Sequence, residues 1–179
     1  RSKIAEIFGE NSDEYNALGT ANTNWQDEIY RKAWSHDHNV TVSGALKNLP
    51  YRVSVGYTNQ QGILKTSNFE RVTGALNLNP SFFKDHLVLN LNAKGIFAKT
   101  RYADEGAIGS AFNFDPTQDP HAFTSQYHHN LLGTDETKTL NNFGGYFQWP
   151  SVGTYDDNYP YIKNGQAGAN PLSLLNGHN

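Results

Sequence analysis

The side chains with chemical potential fall into a few short clusters. His36-Asp37-His38 places two imidazoles two residues apart, on one face of an extended chain. A zinc site needs three or four ligands, and the sequence offers no identifiable third partner. Turn or rim histidines are the plainer reading. His128-His129 is weaker still, because adjacent side chains on an extended chain diverge. Asp156-Asp157-Asn158 is acidic, yet it lacks the alternating oxygen positions and terminal Glu of a calcium loop. A solvated loop is expected there. No Gly-x-Ser-x-Gly elbow, phosphate loop or His-Glu-x-x-His is present. Cysteine is absent, which excludes disulfides and thiolate metal sites. No catalytic residue, metal or cofactor is therefore expected, and the chain does not read as an enzyme.

Aromatic residues are the stronger signal. Tyr146, Trp149, Tyr155, Tyr159 and Tyr161 lie close in sequence. Amphipathic rings suit the apolar faces of sugars, so they could form a stacking surface. The same residues could equally pack a long loop against itself.

Composition narrows the class. The 179 residues are 37% hydrophobic and 13% aromatic, with a mean hydropathy of −0.66. Disordered chains are poor in aromatics, so plain disorder is unexpected. A net charge of −3 gives no electrostatic reason to expect nucleic acid. No run of about 18 apolar residues encodes a transmembrane helix. A spanning β-strand, however, needs only about 9–11 residues with every second one apolar. The absence of Met and the start Arg1-Ser2-Lys3 fit a segment of a longer chain.

The elements that must position these residues are strands. Over His38–Arg101 the sequence alternates with a period of two, predicting a sheet with one dry and one wet face. Tyr51, Val53, Val55 and Tyr57 alternate with Arg52, Ser54, Gly56 and Thr58. Val72, Gly74, Leu76 and Leu78 alternate with Arg71, Thr73, Ala75 and Asn77. Leu87, Leu89, Leu91, Ala93, Gly95 and Phe97 share a face opposite Asn90, Asn92 and Lys94, while Val88 and Ile96 break the polar side. Val40 and Val42 extend the pattern into His38–Gly44.

Flanking segments differ. Residues 1–37 read as loop with short helix, with Ser12 and Asn24 as N-caps. Residues 102–179 alternate little, and Ala103, Ala107, Ile108 and Ala111 suit a short helix. The connections Ala45–Pro50 and Asn79–Asp85 are short, whereas Gln60–Asn68 and the segment after Arg101 are longer. That asymmetry is the habit of outer-membrane barrels. One face of a soluble antiparallel sandwich also alternates, so periodicity alone leaves a soluble β-rich carbohydrate-binding module open.

An ordered set of motifs adds a family likeness. It starts with Ala21-Asn22-Thr23-Asn24-Trp25-Gln26-Asp27-Glu28-Ile29-Tyr30-Arg31 and His38-Asn39-Val40-Thr41-Val42-Ser43-Gly44. Gly56-Tyr57, Gly62-Ile63, Phe69-Glu70-Arg71 and Leu76-Asn77-Leu78 follow, then Arg101-Tyr102-Ala103-Asp104 and Gly106-Ala107-Ile108-Gly109. Asp115-Pro116-Thr117-Gln118, Phe143-Gly144-Gly145-Tyr146-Phe147-Gln148-Trp149 and Asn170-Pro171-Leu172 complete it. The chain resembles part of a SusC/RagA-type TonB-dependent outer-membrane transporter, in the early barrel just after the plug.

The resemblance implies an all-β fold. An antiparallel meander would form part of a transmembrane β-barrel, with a long extracellular loop carrying short helices. Residues 1–37 would lead into the barrel, 38–101 would supply four strands, and 102–179 would be extracellular, with the next strand starting near the C-terminus. Family barrels have about 22 strands, so four would be a fragment. The implied function is import of a bulky nutrient, an oligosaccharide or peptide, across the bacterial outer membrane. Implied partners are outer-membrane lipid, TonB through an N-terminal part, and a SusD-like surface lipoprotein, with a dimer of transporter–lipoprotein pairs. Val53, Val55, Leu76, Leu89 and Leu91 would face lipid, and Tyr51, Tyr57 and Phe97 would sit near the aromatic girdles. Arg52, Arg71, Asn77, Asn90, Asn92 and Lys94 would line the lumen. Arg52, Arg71, Asn90 and Asn92, with Tyr146 and Trp149, are the candidate substrate contacts.

Overall fold

The computed structural model describes residues 1–156 and 159–177, leaving undescribed the side chains of residues 154–156 and 159. Asp157 and Asn158 thus lie outside the described residues, as do the side chains of Tyr155, Asp156 and Tyr159. The chain divides into two compact units, Lys32–Tyr102 and a second built from Arg1–Arg31 with Ala103–Asn179. The segments before and after the strands, expected as separate regions, therefore form one body.

The first unit is a four-stranded antiparallel meander. Strands β1 (Ser35–Leu46), β2 (Leu49–Gln61), β3 (Asn68–Leu78) and β6 (Leu91–Arg101) pair in that order. Their registers place Val42, Val53, Leu76 and Ala93 side by side, and likewise Val40, Val55, Gly74 and Gly95. A one-residue slip anywhere would move a whole strand's apolar set to the other face. None occurs, so four separately alternating stretches combine into one apolar face and one polar face.

Between Leu78 and Leu91 the hairpin continues as β4 (Ser81–Phe82) and β5 (Leu87–Val88). Phe82 faces Leu87 and Ser81 faces Val88, successive steps of the ladder that pairs Leu78 with Leu91. The single strand expected over His86–Ala98 is therefore interrupted at Leu89–Asn90 without losing register. Pro80 is the cause. Its carbonyl accepts from the Leu89 amide at 3.0 Å, but proline has no N–H with which to return the bond. A two-residue turn, Lys47-Asn48, joins β1 to β2, with Lys47 at φ 51°.

Outward residues from Val40 to Leu46, Leu49 to Tyr57, Val72 to Phe82 and Leu87 to Phe97 include no charged side chain. Most stay exposed, among them Val40, Val42, Val55, Leu91 and Phe97. A soluble sandwich must bury such a face under a second apolar layer, and among the described residues no layer does so. The ten steps from Leu87 to Phe97 rise about 34 Å, which a tilt of about 40° reduces to about 26 Å, the height of a barrel's apolar band. Among the described residues no helix is long and apolar enough to cross a membrane.

In the second unit, helices α1 (Ser2–Phe8), α2 (Asp13–Ala17) and α3 (Trp25–Ile29) lead in. Ser12 and Asn24 cap α2 and α3, accepting from Tyr15 N and Gln26 N. Then come α4 (Gly106–Asn113), α5 (Gln126–Leu132), α6 (Glu136–Asn142), a hairpin of β7 (Pro150–Asp156) and β8 (Tyr159–Lys163), and α7 (Pro171–Asn176). Where the next barrel strand was expected near the C-terminus, the chain is helical. Asn170 caps α7, Pro171 occupies its first turn, and Gly177 ends it at φ 74°, the usual start and stop signals.

In the full-length protein, single cysteines along Leu91–Phe97 are expected to react alternately with a lipid-phase probe. Leu91, Ala93, Gly95 and Phe97 should label, and Asn92, Lys94 and Ile96 should not. Uniform labelling would contradict the two-faced sheet.

Candidate functional site

The polar face of the meander gathers some of the expected contacts and separates others. Ser43, Arg52, Asn77 and Asn92 stand in one cross-strand row. With Asn79 and Asn90 they line an open depression of about 640 Å³. Side-chain amides both donate and accept, and a guanidinium offers five donors. The depression is therefore equipped to hydrogen-bond hydroxyls, carbonyls or peptide groups with little charge selectivity. Ile96, on the same face, is exposed, so the inward surface is not uniformly polar.

Arg71 belongs elsewhere. It faces Thr58 and Ala98, and Thr58 lies six residues from Arg52 on β2, about 20 Å along the strand. Its Nη2 donates to Thr58 Oγ1 at 3.3 Å, and that hydroxyl donates to Asp37 Oδ2 at 2.5 Å. Thr58 is buried in the process. Asp37 therefore points inward, while His36 and His38 lie outward with ring centroids 5.1 Å apart. His36 also sits 5.6 Å from the Tyr57 ring. Among the described residues no group of three potential ligands converges on a metal position.

The aromatic segment is organised from the second unit's core. Trp25 meets Phe114 edge-on at 4.9 Å, and its Nε1 donates to Asp115 O at 3.0 Å. Phe147 is fully buried against Phe114, Phe123, His128 and Trp149. Two of the motifs noted in sequence meet here, more than ninety residues apart. Ala21 N donates to Thr117 O at 3.0 Å, Thr23 N to Pro116 O at 2.8 Å, and Thr23 Oγ1 to Gln118 O at 2.7 Å. Gly19 must be glycine, since a Cβ there would stand 2.0 Å from Thr117 O.

Asn170 ties the remaining motifs together. It is fully buried. Its Oδ1 accepts from Leu172 N at 2.9 Å and Ser173 N at 3.4 Å. Its Nδ2 donates to Pro120 O at 3.1 Å and Phe147 O at 3.0 Å. Gln148 completes the network, accepting from Asn170 N and donating to Ser173 Oγ. The sequence marked Asn170-Pro171-Leu172 as a motif and gave no role to the amide. A polar side chain beside Pro before an apolar run was the only local clue.

The three described members of the aromatic set, Tyr146, Trp149 and Tyr161, do not form one stacking surface. Trp149 lies against His128 at 5.0 Å and Phe147 at 5.5 Å. Its remaining surface helps line a cavity of about 490 Å³ with Phe114, Gly168 and Leu174. Tyr146 sits 5.0 Å from the His121 ring. Tyr161 donates to Leu131 O at 2.7 Å. The three described members thus go to three places.

The paired histidines diverge as adjacent residues should. His129 meets Glu136 at the surface, whereas His128 is buried beside Phe123, Tyr127 and Phe147. Its Nδ1 bonds Ser125 Oγ at 2.5 Å, while Nε2 has no partner among the described residues. Burial, aided by the neighbouring charge of His129 and opposed by Asp115, lowers its pKa from 6.5 to about 4.

A charge-free outward face, an amide-rich inward face and strands of spanning length define a wall segment of a transmembrane β-barrel. The chain belongs to the TonB-dependent receptor family. It is 47% identical over 165 residues, 88% of its length, to the TonB-dependent receptor SusC of Bacteroides thetaiotaomicron. Two TonB-dependent receptors of Formosa agariphila are 32% identical over 126 residues and 36% over 104, covering 65% and 54% of the chain. No family model matches. The chain spans 15%, 13% and 10% of the lengths of these three relatives. Receptors of this family reside in the outer membrane, and the meander is placed there accordingly.

Two outcomes follow in the full-length receptor. Asn170→Ala removes a helix cap and strands two buried carbonyls, which should open the helical unit by about 2–4 kcal/mol, seen as faster proteolysis within Ala103–Asn176. Neutral His128 contributes stability in full above pH 6.5, and this is lost as pH falls towards 4. Hydrogen-exchange protection of α5 should decline across that window, and His128→Gln should flatten the decline.

Proposed function

We propose that this chain forms part of the wall and an outer loop unit of a transporter importing a bulky nutrient, an oligosaccharide or peptide. The single observation that carries the reading is the two-sided meander. Its outward side has no charge across a membrane's thickness, and its inward side presents Arg52, Asn77, Asn90, Asn92 and Lys94. Identity to receptors described as TonB-dependent supports energisation through TonB acting on another part of the receptor.

In this reading the Arg101 end of β6 is extracellular. The turns at the opposite end are short, Lys47-Asn48 and residues 83–86, whereas residues 62–67 and both chain connections to residues 1–31 and 103–177 leave from this end. Short periplasmic and long extracellular connections are the rule for such barrels. The amide-rich depression then sits towards the periplasmic end of the lumen and Arg71 towards the mouth. Arg52, Asn90 and Asn92 would hydrogen-bond passing substrate, and Arg71 would act separately. Tyr146 and Trp149 offer partial ring surface on the loop unit, where substrate or a SusD-like lipoprotein would make contact. Two such transporter–lipoprotein pairs would associate as a dimer. No residue carries out a reaction.

Cells depending on the full-length receptor should take up its oligosaccharide or peptide several-fold more slowly when Arg52 and Asn92 are both changed to Ala. Receptor abundance in the outer membrane should be unchanged. Normal uptake at normal abundance would remove these residues from the substrate path. Undiminished growth on oligosaccharides and peptides after deletion of the receptor gene would overturn the transport reading.

A further inference from the structure

The outward face has one place where the chain's own packing does not explain the residues. Gly44 is explained, because Tyr51 lies over it and its hydroxyl would stand 2.7 Å from an added Cβ. Gly74 and Gly95 are not. They face each other across β3 and β6, and a Cβ on either would meet nothing within 4 Å. Neither has a positive φ, so no backbone requirement demands glycine. Interior glycine weakens a strand and often marks a close approach by something else. Together with Val53, Val55, Leu76 and Ala93, the pair lines an open apolar notch of about 440 Å³.

Above the notch on the same strand and face come Phe97, then Lys99, then Arg101, all exposed. Lys99 is four residues from Gly95, about 13 Å along the strand. No carboxylate among the described residues forms an ion pair with Lys99 or Arg101. Glu70 stands opposite Lys99, but its Oε1 accepts from the amides of Asn59 and Asn68. His36 and His38 share this outward end on β1. Two exposed cations thus sit where the charge-free band ends, about 13 and 20 Å along the strand from an apolar notch.

We propose that this surface seats one phosphorylated lipid of the outer leaflet, with an acyl chain in the Gly74–Gly95 notch and its phosphate on Lys99 and Arg101. The apolar notch supplies chain contact, and the cations supply charge complementarity at the interface. Each lysine or arginine near a membrane surface strengthens attraction to an anionic headgroup about fivefold. The proposal rests on the barrel-wall reading and its orientation.

The test uses full-length receptor in neutral detergent micelles, titrated with dioleoyl phosphatidic acid and, separately, with dioleoylglycerol, which has the same chains and no phosphate. K99Q/R101Q should weaken phosphatidic acid binding about 30-fold and leave dioleoylglycerol binding unchanged. G74V/G95V should weaken both lipids by filling the notch. Where valine disturbs folding, G74A/G95A keeps the test, since alanine fits without a clash. Unchanged phosphatidic acid affinity in either pair of variants would overturn the proposal, including the case where a neighbouring strand's side chain already fills the notch. Alternating cysteine labelling on β6 separates the two failures. If labelling alternates while lipid affinity is unchanged, only the lipid site is wrong. If labelling is uniform, the barrel wall itself is wrong.

Discussion

The hydrocarbon core of a bilayer offers no water, so each backbone N–H and C=O that enters it must find a partner on a neighbouring strand. The register of the meander follows from this requirement. Side chains must then fall in phase across all four strands, because a lipid-facing charge would cost about 2–4 kcal/mol at the midplane. From Ser35 to Arg101 the phase is never lost, even where Pro80 removes a donor and divides one hairpin into two ladders. The outer edges of β1 and β6 have no partner among the described residues. In a closed barrel the next strands supply those bonds.

The helical unit follows a different rule. Its helices are only five to eight residues long, so many backbone groups at their ends lack an intrahelical partner and buried side-chain amides take over. Asn170 and Gln148 stitch Pro120, Phe147 and the start of α7 together, while Gln118 ties the segment after α4 to Ala17 and Asp115 braces that segment by accepting from Thr117 N and Gln118 Nε2. Unpaired buried carbonyls are costly, which is why these polar residues lie inside the aromatic core. Phe147 and Trp149 are consequently held in place by structure first. Only the part of Trp149 facing the cavity beside Gly168 remains open to a ligand.

Much of the sheet was legible in the sequence because its signal is local. A period of two in Tyr51–Tyr57 or Val72–Leu78 needs no knowledge of the partner strand, and the caps at Ser12 and Asn24 are equally short-range. The interruption at Leu89 was not legible, since Pro80 acts across the hairpin on a residue nine positions away. Helix α7 was not read from the sequence although Asn170, Pro171 and Gly177 carried the signals for helix; the leucines at 172, 174 and 175 suit either period. The grouping of Arg52 with Asn90 and Asn92 follows from register and could be anticipated. The separation of Tyr146 from Trp149 depends on contacts with His121 and His128 that no sequence spacing encodes.

One face of the meander meets lipid and the other meets a polar lumen. Charge placed on each face in turn tests this most directly. Leu76→Arg and Ala75→Arg are adjacent on β3 and point to opposite sides. Each is introduced into the full-length receptor, and the amount of folded protein in the outer membrane is measured by its heat-dependent gel mobility. Leu76→Arg should sharply reduce folded receptor, and Ala75→Arg should leave it near normal. Equal yields, or loss confined to Ala75→Arg, would contradict the account.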